Sequence, residues 1–185
     1  MPYLLFNREM LKLKSLRQRK HDLGYAAISD LDDKVPAGKK NISAVADDII
    51  KARRIGSSTI LMIGGHVIRS GVQKYIIDLM ERGYISCLSM NGSGVIHDFE
   101  FALIGATTES VARYIKNGRF GLWQETSKIN DYINLGYRSK LGMGEAVGRA
   151  ILNGDFPYKD ISLLAAGYRL RIPVTVHVGI GYDID

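Results

Sequence analysis

Three short apolar segments, two of them ending directly in turns rich in glycine, constrain the fold more than any other feature of the sequence. They cover residues 58–63, 85–90 and 173–178. Between the first two, residues 71–82 carry apolar side chains at the three- and four-residue spacing of an amphipathic helix. Strands that alternate with helices through glycine turns are typical of α/β domains. We therefore predict an α/β domain with a mostly parallel sheet flanked by helices, and with the strand at 58–63 buried on both faces.

The positive charge of the chain is concentrated at its N-terminus. The sequence has 25 Lys and Arg against 19 Asp and Glu, a net of +6, and its first 20 residues hold six basic residues and one acidic residue. Residues 4–19 also have the spacing of an amphipathic helix. We predict a basic helix with a polar connection at 1–40, followed by the α/β domain at 41–185. Because no aromatic side chains are interleaved with these charges, nucleic acid is not an expected partner.

Cysteine content and hydropathy bear on location. Cys87 is the single cysteine, which excludes a disulfide framework and favours a cytoplasmic protein. Its position within an apolar segment predicts a buried, inert thiol. The sequence contains no run of 18 apolar residues, and its first residues lack the order of a signal peptide, so no membrane association is expected.

Candidate binding residues lie at the ends of the three segments, at 64–71, 91–100 and 177–185, because ligands of parallel α/β sheets bind beyond the carboxyl ends of the strands. Glycine there permits close approach of the backbone, and a following helix presents N–H groups to a phosphate or a carboxylate. The candidate cofactor-binding residues are Gly64, Gly65, His66, Ser70, Asn91, Gly92, Ser93 and Gly94. At 64–71 a strand-to-helix turn without a ligand is an equal alternative. The segment at 91–97 lacks the last glycine of a GxGxxG motif, because His97 occupies that place.

Ionisable side chains lie in and beyond the same segments. A histidine titrates near neutrality, so His97 is the candidate general acid or base, with Asp98 as a second catalytic residue. Glu100 and His177 are candidate substrate-binding residues. The structural alternative is that Asp98 caps the following helix while His97 bonds to a neighbouring carbonyl.

At these segments the chain resembles the deoxyhypusine synthase family, specifically its prokaryotic synthase-like branch. The similarity is densest at residues 65–71, 77–83, 91–100 and 173–178. It implies a Rossmann-like, deoxyhypusine synthase-like fold, NAD as cofactor and a homotetramer. It also implies a small-molecule amine such as a polyamine as substrate, with a protein lysine among the acceptors of its aminobutyl group.

The chain also departs from that family. Ile96 and His97 stand where the synthases carry adjacent acidic residues, and the family's later half, with its catalytic lysine, has no counterpart here. The resemblance implies an NAD-dependent aminobutyl transferase, with a catalytically silent, oligomer-forming homologue or fragment as the alternative. A third alternative is a metal-dependent hydrolase, although no HxH or HExxH spacing supports it, and we assign no metal ligands. Its metal would be held by His66, His97 and His177 with Asp98 or Asp183.

Overall fold

A parallel sheet forms the centre of the computed structural model, which describes residues 3–5, 7–33 and 40–179. In this part of the chain, strands β2 (Ile60–Ile63), β3 (Cys87–Asn91) and β5 (Val174–His177) lie in the order β2-β3-β5. Strands β1 (Leu23–Gly24) and β4 (Ala106–Thr107) form a separate antiparallel pair. The predicted α/β class with a parallel sheet is confirmed.

The described residues form eight α-helices, which account for most of the rest of the fold. They are α1 (Lys40–Arg54), α2 (Gly65–Arg69), α3 (Gln73–Glu81), α4 (Gly92–Ile104), α5 (Val111–Tyr114), α6 (Lys128–Arg138), α7 (Met143–Asn153) and α8 (Leu163–Leu170). Side chains at the N-cap start several of them, since Asn91, Ser110 and Ser162 each accept a backbone N–H of the first turn. None of the helices in the described ranges is long and apolar enough to cross a membrane.

The sheet buries only one of its faces. Strand order advances in a single direction, and right-handed crossovers then place the connecting helices on the same side. On that side Leu88 and Met90 of β3 are buried, and they pack with residues of α3, α4, α7 and α8. On the other side Ile60 and Met62 remain 56% and 76% exposed. The prediction that the first strand is buried on both faces is therefore wrong, because within the described residues the crossover helices cover one face alone.

The N-terminal segment does not form the predicted helix over 4–19. Its described residues contain only short 3₁₀ turns, at Arg8–Met10 and Leu16–Gln18. Lys14 instead exchanges backbone hydrogen bonds with the segment around Trp123, its N–H donating to Leu122 and its carbonyl accepting from Gln124. Leu16 is buried in a cluster with Trp123. These tertiary contacts override the local helical pattern and attach the segment to the α/β body.

Candidate functional site

Two glycine-containing turns meet at the carboxyl edge of the sheet, as the sequence predicts. Gly64 is the N-cap of α2 and Asn91 is the N-cap of α4, at the ends of two adjacent parallel strands. A Cβ atom built on Gly64 would lie 3.7 Å from the Asn91 amide nitrogen, and one on Gly65 would lie 2.7 Å from Ser93 Oγ. Only glycine at position 65 permits this close approach of the two turns.

Residues 92–94 form the first turn of α4, where a loop was predicted. Asn91 Oδ1 accepts hydrogen bonds from the Gly94 N–H at 3.1 Å and from Ser93 Oγ at 3.0 Å. The 13-residue helix thus begins directly at the strand end, with the positive end of its dipole at this edge. The amide of Gly94 is already satisfied by the Asn91 side chain.

Of the remaining predicted binding residues, His177 and His66 lie at the carboxyl edge of the sheet and Ser70 does not. His177, at the end of β5, pairs in register with Asn91 and is exposed, with its Nε2 3.1 Å from Thr175 Oγ1. His66, in the first turn of α2, is also exposed. Ser70 lies at the opposite end of α2, where its hydroxyl donates to the Val67 carbonyl at 2.6 Å. Its predicted role in cofactor binding is therefore not supported by its position.

His97 lies one turn into α4 and faces the Gly65 turn. Its Cδ2 atom would be 2.8 Å from a Cβ on Gly65, and its Nδ1 is 2.8 Å from Thr107 Oγ1. The partner is a hydroxyl, not the carbonyl of the structural alternative. Burial lowers the pKa of His97 from 6.5 to about 4. The imidazole is neutral at neutral pH, so it is poorly matched to the acid–base role predicted from its ordinary pKa.

Asp98 points into the core, away from the edge. Its carboxylate accepts from Ser162 Oγ at 2.6 Å and from the amides of Leu163 and Leu164 at 2.7 and 3.1 Å. It therefore caps α8, which is not the helix that the sequence suggested. Burial raises the pKa of Asp98 to about 6. Each of these bonds is internal to the fold, so the structure shows a capping role for Asp98 and adds no support to the predicted catalytic role.

Glu100 is likewise internal. Its carboxylate accepts hydrogen bonds from both terminal nitrogens of Arg19, each at 2.7 Å. It also accepts hydrogen bonds from the hydroxyls of Thr107 and Thr126, at 2.6 and 2.8 Å. The ion pair is almost completely buried, with side-chain exposures of 3% and 2%. The oxygens of Glu100 already accept hydrogen bonds from protein donors, so the structure adds no support to its predicted substrate-binding role. Sequence reasoning missed Arg19, Thr107 and Thr126, since nothing in their local sequence links them to residue 100.

The histidines do not assemble into a metal site in the described part of the chain. Within it, no group of three His, Cys, Asp or Glu side chains is placed to hold a metal ion. Asp98 is committed to its cap, and Asp183 lies outside the described residues. The alternative of a metal-dependent hydrolase therefore has no support from the geometry.

Comparison with solved structures identifies the fold. No family model matches the chain, and no curated protein matches it either. The C264A mutant of AgrE, in a binary complex with L-arginine, superposes with a TM-score of 0.54 at 17% identity, covering 81% of this chain and 21% of AgrE. The ternary complex of AgrE with ornithine and NAD⁺ gives a TM-score of 0.52 at 17% identity, with the same coverage. The fold is Rossmann-like.

A third similar structure is ArgZ, an arginine dihydrolase from the ornithine–ammonia cycle in cyanobacteria. It superposes with a TM-score of 0.53 at 18% identity, covering 82% of this chain and 20% of ArgZ. The chain thus spans about a fifth of the length of these proteins. At such identities the similarity establishes the fold, and the activities named belong to AgrE and ArgZ.

The predicted membership of the deoxyhypusine synthase family is wrong. The solved structures that the chain resembles include AgrE and ArgZ, and no family model matches it. Glycine turns at strand ends are required wherever a backbone approaches a dinucleotide, so they indicate a class of site and do not distinguish between families. Aminobutyl transfer rested on the resemblance alone and is withdrawn with it.

Proposed function

We propose that this chain is an NAD-binding module of a dehydrogenase-type enzyme, and that the dinucleotide binds at the carboxyl edge of the sheet. The observation that carries the proposal is the contact between the Gly64–Gly65 turn and the N-terminus of α4 at two adjacent strand ends. Both turns present backbone there, and a helix dipole favours phosphate at this position. AgrE, which has a similar fold, has been crystallised with NAD⁺.

The structure gives less support to the predicted amine substrate than to NAD⁺. A small-molecule amine needs a carboxylate to receive its ammonium group. The two acidic residues predicted for this site, Asp98 as catalytic and Glu100 as substrate-binding, are both bonded inside the fold. An amine substrate therefore has no identified anchor at this edge. The homotetramer and a protein lysine partner stay predictions, because neither the structure nor the comparisons test them.

Calorimetric titration with NAD⁺ tests the proposal, using Gly64→Val and a matched control, Gly142→Val. Both glycines are N-caps with extended backbone that valine tolerates, since Gly64 has φ −119° and Gly142 has φ −69°. Only Gly64 lies in the site, whereas a Cβ on Gly142 meets nothing within 4 Å. We expect Gly64→Val to raise the Kd for NAD⁺ by about tenfold, a loss of roughly 1.4 kcal/mol, and the control to leave it unchanged. Absence of binding to the native protein at millimolar NAD⁺ would overturn the proposal.

A further inference from the structure

The hydrogen-bond directions around His97 define which ring nitrogen carries its proton. The Thr107 hydroxyl has one hydrogen and donates it to Glu100 Oε2 at 2.6 Å. Towards His97, at 2.8 Å, the same hydroxyl oxygen can then act only as an acceptor. The donor in that bond must be the Nδ1–H of His97. Because a neutral imidazole carries a single N–H, the Nε2 atom bears a lone pair.

The Arg19–Glu100 ion pair fixes the direction of the hydrogen bonds from His97 to Thr107 and from Thr107 to Glu100. Arg19 donates to both carboxylate oxygens at 2.7 Å, so Glu100 is ionised and has no proton to give to Thr107. Thr126 donates a further hydrogen bond to Oε1 at 2.8 Å. Both members of the ion pair are buried, so this chain of hydrogen bonds is shielded from bulk solvent.

The Nε2 atom is bonded to the ring carbon that faces the edge where the two turns meet. Its neighbouring ring atom Cδ2 lies against Gly65, beside Ser93. Among the residues that the structure describes, Nε2 has no hydrogen-bond partner, and it is not a fully buried atom. A lone pair in this position attracts O–H and N–H groups and repels the oxygens of a phosphate.

The geometry points to His97 Nε2 as a hydrogen-bond acceptor for an O–H or N–H donor of the bound ligand, with Thr107 and Glu100 as positioning residues for the ring. This inference rests on the proposed function, which makes the ligand a dinucleotide. The donor is then a ribose hydroxyl, the adenine amine or the carboxamide of the nicotinamide. The lowered pKa of His97 agrees with this role, because a ring that stays neutral keeps its lone pair at physiological pH.

A matched pair of variants, Thr107→Val and Thr126→Val, tests the inference. Both threonines are buried, and both donate to Glu100, at 2.6 and 2.8 Å, but only Thr107 contacts His97. The protonation of each ring nitrogen is read by ¹⁵N NMR of histidine-labelled protein, and NAD⁺ affinity by calorimetry. We expect the His97 ring of the native protein to be entirely the Nδ1–H tautomer, and that of Thr107→Val to be a mixture of the Nδ1–H and Nε2–H tautomers. It should raise the Kd by about fivefold to tenfold, the value of roughly one hydrogen bond.

The control and the rescue variant separate this role from a structural one. Thr126→Val should leave the ring protonation and the Kd within twofold of the native protein, and Thr107→Ser should restore both. The analogue 3-acetylpyridine adenine dinucleotide lacks the carboxamide N–H. If Thr107→Val weakens only NAD⁺, the donor is the carboxamide, and if it weakens both ligands equally, the donor is a hydroxyl or the adenine amine.

Equal effects of the two valine variants on Kd, or an Nε2–H ring in the native protein, would overturn the inference. Failure of the native protein to bind NAD⁺ defeats the proposed function instead. In that case the ring measurement on the same labelled sample still decides whether Thr107 and Glu100 position His97.

Discussion

Replacing Arg19 with Met should destabilise the protein by about 3–5 kcal/mol, because it leaves the Glu100 carboxylate buried without its counter-charge. The two side chains are only 3% and 2% exposed, and both N–O distances are 2.7 Å. Methionine retains the aliphatic part of the side chain beneath the Trp123 ring, whose centroid is 5.5 Å from the guanidinium carbon. The loss is therefore mainly electrostatic, since much of the packing is kept.

Urea unfolding at neutral pH measures the loss in free energy of unfolding. Two further variants show whether the loss comes from the buried charge of Glu100. Arg169→Met breaks the exposed pair with Glu81, whose side chains are 46% and 44% exposed, and should cost less than about 1 kcal/mol. In the double variant Arg19→Met, Glu100→Gln the buried charge is removed, so part of the stability should return. If Arg19→Met costs no more than Arg169→Met, the reasoning that a buried pair holds this network is refuted.

Two further predictions concern pH and packing. Burial lowers the pKa of His97 to about 4, so the contribution of His97 to stability is present above pH 6.5 and is lost as pH falls through 4. Burial raises the pKa of Asp98 to about 6, so the contribution of Asp98 is greatest below pH 3.8 and is lost as pH rises through 6. Between pH 4 and 6 the two contributions oppose each other. Because His97→Phe leaves only the Asp98 contribution, its urea midpoint should fall more steeply than that of the native protein as pH rises from 4 to 6. Parallel profiles would contradict this. Leu88→Ala should cost about 2–5 kcal/mol and Met62→Ala under about 1 kcal/mol, since Leu88 is 0% and Met62 is 76% exposed; equal thermal shifts would show that both faces of the sheet are covered.

The sequence was sufficient to predict the three parallel strands and the turns that follow two of them. Their apolar runs and glycines are local signals, and Gly64, Gly65 and Asn91 do meet at one edge. The start of α4 at Gly92 was missed because glycine and serine are typical of loops, while the Asn91 cap that starts the helix depends on a side-chain orientation.

The roles of the acidic residues could not be predicted, because they depend on contacts distant in the chain. Asp98 caps a helix that begins 65 residues later, and Glu100 pairs with an arginine 81 residues earlier. From the sequence, Arg19 is one of several basic residues in an amphipathic segment. Its burial beside Trp123 follows only from the tertiary fold, which also explains why the predicted amphipathic basic helix does not form.

The single direction in which the sheet is wound limits how much nucleotide it can enclose. A dinucleotide in a doubly wound fold lies across the point where strand order reverses, with one nucleotide on each side. The described strands β2, β3 and β5 advance without such a reversal, which is the strand order of one half of a doubly wound sheet. If NAD⁺ binds at this edge as proposed, contacts to its second nucleotide come from residues outside these three strands. Under the proposed function, the edge between Gly64 and Asn91 therefore contacts one of the two nucleotides of NAD⁺.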